Sequence, residues 1–212
     1  VVNNFDIIRD LLKFRDKDSF YFLQVLKRRK DNPDLGKDMV HIADYYIYDL
    51  DQFDKLKPRI IDQCDSENAR AYFRLNSRDA KKVAMQTLKR VVDHITSENH
   101  RAVKSAYASC TGEFHSDPDK SWIVDIDWKD WDGDVLDRET LLSGGSLGEK
   151  LDSMISLLTD LQNETKKEPR LDIIPTKNGV HIITRPFNLQ KFKGFHPSMD
   201  VHKDNPTALY FP

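Results

Sequence analysis

Apolar residues recur along this chain at two alternating periods. Phe5, Ile7, Ile8, Leu11 and Leu12 fall at helical spacing and predict a helix over 5–14. The aromatic and branched run Ser19–Leu26 predicts a strand, followed by the basic cluster Lys27-Arg28-Arg29-Lys30 and a polar loop over 31–37. Tyr45–Tyr48 reads as a second strand. Phe53, Leu56, Ile60, Ile61 and Cys64 return to helical spacing, with Pro58 expected to start or kink that helix. Ala69–Asn76 is a third strand, so this part reads as a βαβ or ferredoxin-like unit. A long amphipathic helix follows on Ala80, Val83, Ala84, Leu88, Val91, Val92 and Ile95, with Asn76 or Ser77 as its cap.

The second half continues with an apolar strand at 121–128. Ser143-Gly144-Gly145 is the best hinge, and Ser146-x-x-Glu149 has the form of a capping box opening a helix through Leu161. Leu171–Ile174 and Val180–Ile183 flank Asn178-Gly179, a hairpin signal. A short strand is expected at Ala208–Phe211. The pattern describes an α+β fold in one compact domain, 1–212, divisible into an N-terminal α/β module (1–112) and a second module (113–212).

The strand at 121–128 carries the chemistry. Side chains two apart in a strand share a face, so Asp125 and Asp127 point together, while Trp122, Val124, Ile126 and Trp128 take the opposite face. The two carboxylates lie roughly 7 Å apart along the strand. A cation relieves their repulsion, and oxygen-only ligands suit Mg²⁺ or Mn²⁺. The alternative is an ordinary solvated strand face with two acids. With Asn178-Gly179 as a two-residue turn, Thr176 pairs with His181 and Asp172 with Arg185, placing all four on one face that can hold a phosphate. An ordinary polar hairpin with a cross-strand ion pair is the other reading.

The chain has 33 basic and 35 acidic residues, a net charge of −2, so binding to nucleic acid depends on local clusters. Lys27, Arg28 and Arg29, with Arg74, are the candidates for a nucleic-acid backbone, against a solvated strand end. Lys191 and Lys193 are further phosphate candidates, and Tyr45, Tyr46 and Tyr48 are stacking or core residues. The two cysteines, Cys64 and Cys110, are expected as free thiols, although one disulfide remains open. No Cys-x-x-Cys is present, so no zinc site is expected. Nothing at the N-terminus has the form of a signal peptide, and no apolar run reaches the roughly 20 residues of a membrane span. An intracellular, cytoplasmic location is expected, in a host's cytoplasm if a virus or plasmid encodes the protein.

The run Asp125-Ile126-Asp127-Trp128-Lys129-Asp130-Trp131-Asp132 resembles the first motif of the archaeo-eukaryotic primase superfamily. Thr176-Lys177-Asn178-Gly179-Val180-His181-Ile182 resembles its second motif, with Thr176 near the place of the usual serine, and Pro197-Ser198-Met199-Asp200-Val201 its third. The resemblance covers roughly residues 121–201. It implies an RRM-like catalytic sheet with helices, joined to the N-terminal module. It implies two divalent ions, Mg²⁺ or Mn²⁺, on Asp125, Asp127 and Asp200, with Asp204 or Asp172 as alternative third ligands. His181 would contact the nucleotide triphosphate, with Thr176, Lys177 and Arg185 as neighbouring nucleotide contacts. A His-containing metal site using His196 or His202 ranks below the carboxylate site. The implied reaction is nucleotidyl transfer from dNTP or NTP on single-stranded or primed DNA, with a helicase or other replication protein as a candidate partner. A two-metal nuclease or phosphoesterase, and a non-catalytic RRM-like binding module, are the alternatives.

Overall fold

The computed structural model describes residues 1–113, 118–130 and 148–212. They form an α+β fold of two sheets in which every strand pair is antiparallel. The first sheet contains β1 (Val2–Asn3), β2 (Ser19–Arg28), β3 (Met39–Ile47), β4 (Arg70–Asp79) and β9 (Thr207–Phe211), in the order β1-β9-β4-β2-β3. The second contains β5 (Trp122–Asp127), β6 (Leu171–Pro175), β7 (Gly179–Thr184) and β8 (Asp200–His202), in the order β6-β7-β5-β8. The helices are α1 (Phe5–Leu11), α2 (Leu50–Glu67), α3 (Ala80–Thr96), α4 (Ala106–Glu113), α5 (Glu149–Asn163) and α6 (Leu189–Phe195). Among the described residues, no helix is long and apolar enough to cross a membrane.

Strands β3 and β4 both run antiparallel to β2, which lies between them, so β3-α2-β4 is a split βαβ unit. The C-terminal strand β9 inserts between β1 and β4. A division at residue 112 therefore parts β9 from its own sheet. Phe5 and Ile8 of α1 and Phe53, Ile60 and Cys64 of α2 are buried with Leu23, Val25, Ile47, Ala71 and Phe73 of the first sheet. Ile123, Ile174 and Ile183 of the second sheet enter the same core. Opposite them, Val124, Ile126, Val180 and Ile182 pack on Leu151, Met154 and Leu158 of α5 and Phe192 of α6. Each fully buried Val, Leu, Ile, Phe or Met among them stabilises the fold by about 1.5–3 kcal/mol. The sheets are also tied by a polar bridge. Buried Asn4 donates from Nδ2 to the carbonyls of Pro175 (2.7 Å) and Ala208 (3.0 Å), one on each sheet.

Several local expectations change. Helix α2 does not start at Pro58 but continues through it. Pro58 is exposed, so the carbonyl its ring deprives of a donor can be solvated, while Phe53, Ile60 and Cys64 hold the other face down. The cap of α3 is Asp79, whose side chain accepts from the Lys82 N–H; Asn76 and Ser77 are buried within β4 instead. The apolar stripe of α3 is only partly used: Val83 is buried, whereas Leu88, Val92 and Ile95 are more than half exposed. Helix α5 starts at Glu149 with Gly148 as its cap residue, which puts Glu149 in the first rather than the third helical position. Ser143-Gly144-Gly145, Ser146, Trp131 and Asp132 lie outside the described residues. Both cysteines are buried free thiols.

Candidate active site

Strand β5 lies between β7 and β8, and Asp125 is the register partner of His181 on one side and Asp200 on the other. Asp125, Asp127 and His181 thus come to one face, as the alternation predicted. His181 Nε2 is 3.4 Å from Asp125 Oδ1, and His202 Nε2 is 3.8 Å from Asp125 Oδ2. The hydrogen bond from His181 holds the Asp125 carboxyl below the usual carboxylate range, against the opposing effect of burial. Asp127, more exposed, lies 3.6 Å from Lys129 Nζ. Asp200 is exposed at the start of β8.

The hairpin turns at Lys177-Asn178 and not at Asn178-Gly179. Pro175 pairs with Val180 and Ile174 with His181, and the Thr176 N–H donates to the Gly179 carbonyl at 2.9 Å. The register moves by two residues, so strand faces are kept while partners change. Gly179 is needed for close approach: a Cβ there would lie 1.8 Å from the Ile126 carbonyl oxygen. Its register partner is Asp127, so the missing side chain lets β7 seat against the carboxylate strand.

These residues open onto a cleft of about 310 Å³ between the two sheets. Asp125, Asp127, Lys129, Thr176, Lys177 and His181 form one wall. Arg28, Lys30, Arg70, Tyr72, Ala208 and Phe211, from the first sheet and the loop after β2, form the other. The Arg70 guanidinium lies over the Phe211 ring at 4.8 Å, and Tyr72 packs against that ring at 5.5 Å between centroids. Asp31 accepts from Arg70 at 2.5 and 2.6 Å and from Lys177 at 3.1 Å, joining the walls across the cleft rim. These partners, Arg70 first, draw its carboxyl pKa down to about 2.

Other sequence candidates fall elsewhere. Lys27 pairs with Glu67 at 3.2 Å, because neighbours on a strand point to opposite faces, and Arg29, in the turn after β2, pairs with Asp38 at 3.6 Å. Arg185 lies beyond the far end of β7 and bonds Asp119 at 3.2 Å. Asp172, opposite Ile183, pairs with Arg170 at 2.7 Å. Lys191 pairs with Glu164, and Lys193 bonds the Met199 carbonyl.

Arg74 donates to the Asp204 carbonyl and is largely buried, which lowers its pKa against the pull of Asp204. Asp204 is engaged by fully buried Arg78 at 2.7 Å and by Asn76 at 2.9 Å. The Asn76 side-chain oxygen accepts the Ser121 N–H at 2.6 Å. This network pins the start of β5 and the β8–β9 connection to β4, and it takes up Asp204 and one end of the Arg74 guanidinium.

The donor set suits a hard cation in kind: three carboxylates, with Asp200 directly opposite Asp125 and Asp127 two residues along. Among the described residues no three His, Cys, Asp or Glu side chains converge closely enough to hold a metal as they stand. Asp125 is instead turned to its two histidines. Residues that sequence reasoning passed over are Asp31, Arg70, Tyr72, Thr207 and Phe211, with Lys30 and Lys129 noticed only inside longer runs. The alternation of Arg70 and Tyr72 along β4 was the one available signal. No family model matches the chain, and no curated protein or solved structure matches it.

Proposed function

We propose that this chain is a metal-dependent nucleotidyltransferase, similar to a compact primase-polymerase, that extends or makes primers on a DNA template with an RRM-like catalytic sheet. The observation that carries the reading is the register of β5: Asp125 has His181 on one side and Asp200 on the other, and Asp125, Asp127 and His181 line a cation-lined cleft. Arg28, Lys30, Arg70, Lys129 and Lys177 bring positive charge to it, matching a triphosphate. His181, reaching from β7, donates to a phosphate oxygen. Tyr72, which is partly exposed, offers its ring to a base, with Phe211 buried behind it.

Asp125, Asp127 and Asp200 would hold Mg²⁺ or Mn²⁺, which neutralises charge on the attacking and leaving oxygens. The primer 3′-oxygen bonds to the α-phosphorus, the α–β bridging P–O bond breaks, pyrophosphate departs, and the hydroxyl proton passes to water. The chain's own contribution is to align the triphosphate between the cationic walls and to favour the ionised form of Asp125.

The test is primer extension on a single-stranded template with dNTP or NTP and Mg²⁺ or Mn²⁺, beside Mn²⁺ calorimetry. Extension that disappears in Asp125→Asn/Asp127→Asn, together with Mn²⁺ binding, supports the reading. Shortened products without nucleotide dependence replace it with a hydrolase. Tight single-strand binding with neither product replaces it with a binding module.

A further inference from the structure

Thr207 begins β9, in the first sheet, yet its side chain is fully buried against a residue of the second. Thr207 Oγ1 lies 2.8 Å from His181 Nδ1, while Nε2 of the same ring faces Asp125 Oδ1 at 3.4 Å. The imidazole is therefore held from both ends, by a hydroxyl of one sheet and a carboxylate of the other.

The chemistry of the partners orders the protons. At 3.4 Å a bare Nε2 lone pair would face the Asp125 carboxylate with like partial charge, whereas an Nε2–H presents it a positive edge, so the contact favours a hydrogen on Nε2. In a neutral ring Nδ1 is then an acceptor, and Thr207 must donate to it. If Thr207 accepted instead, its own hydroxyl hydrogen would need a second acceptor, and among the described residues it has none. We infer that Thr207 is a positioning residue that fixes the neutral form of the His181 ring in the Nε2–H tautomer, a hydrogen-bond donor aimed at Asp125 and the cleft. The ring can then donate to an anionic phosphate without first being protonated.

The tautomer is a property of the ligand-free protein; only its consequence for nucleotide binding rests on the proposed function. Ring ¹⁵N shifts of His181 are read by NMR at about pH 8, above the ordinary histidine range, with the signal identified by its absence in His181→Gln. The expected result is a single Nε2–H form in the natural protein. In Thr207→Val, which keeps the shape and removes the hydroxyl, a mixed or Nδ1–H population is expected, and Thr207→Ser restores the single form. Nucleotide Kd should rise about tenfold in the valine variant, the effect of losing one modest hydrogen bond, and recover in the serine variant.

An Nδ1–H ring in the natural protein overturns the inference, and this holds even if the valine variant fails to fold. An unchanged tautomer in folded Thr207→Val also overturns it. A tautomer that shifts as expected in a protein that binds no nucleotide leaves the positioning role standing and removes the proposed function alone.

Discussion

His181 is the direct cross-strand partner of Asp125, its Nε2 3.4 Å from the Asp125 carboxylate, although 55 residues of chain separate them. The contact depends on Gly179, which lets β7 approach β5 two residues further along. That dependence makes the hairpin the most sensitive part of the site.

Gly179→Ala is expected to destabilise the protein by about 3 kcal/mol or more, because the added methyl meets backbone rather than a movable side chain. Gly36→Ala, where a Cβ has open space, should stay within about 0.5 kcal/mol. Urea denaturation of the two variants checks the contrast. Equal stabilities would mean that β7 and β5 are not seated as described.

Asp204→Asn leaves the fully buried Arg78 guanidinium without its countercharge. A loss of about 3–5 kcal/mol is expected, as for breaking a buried ion pair. Chemical denaturation measures it. Mn²⁺ calorimetry on the folded fraction separates this structural role from metal ligation: affinity per folded molecule should be retained.

The Asp31 carboxyl sits at about 2 against an ordinary 3.8, so its contribution to stability has a defined pH window. A depressed pKa means stabilisation that is complete above about pH 4 and lost as the pH falls towards about 2. Asp31→Asn should remove a contribution on the order of 1 kcal/mol, after allowance for solvent screening. Denaturation midpoints of the natural protein and the variant should differ at about pH 6 and converge at about pH 2. A gap that widens in acid would reverse the assignment.

Arg28 and Lys27 are adjacent but face different surroundings, the cleft and Glu67. Arg28→Ala should weaken nucleotide or pyrophosphate binding by about one to two decades, the loss of a charged hydrogen bond. Lys27→Ala should change it less than about twofold, since surface changes away from a site typically cost under 0.5 kcal/mol. Calorimetric titration of both variants decides it. Equal losses would show that the whole basic run, rather than its cleft-facing member, meets phosphate.

Local alternation determined which side chains of each strand travel together. Asp125 and Asp127 opposite Val124 and Ile126, and the parity of Thr176 with His181, follow from a period of two that any strand must obey. The same reasoning placed α1, α2, α3 and most of the long strands, because burial of one face selects the period. It misplaced what depends on partners: the α3 cap and the hairpin turn, where Gly179 seats against Ile126 and the turn falls one residue earlier than the Asn-Gly signal. Most of the opposite wall of the cleft could not be read locally; the basic run with Arg28 and Lys30 and the alternation of Arg70 and Tyr72 were its signals. Arg70, Tyr72 and Phe211 become neighbours of Asp125 only because β9 returns to the first sheet beside β4. Asp204 and Arg74, promising as isolated charges, are consumed by buried Arg78 and the β8–β9 connection. A charge's role depends on its counterion and its exposure, and both are settled by contacts between residues far apart in the chain.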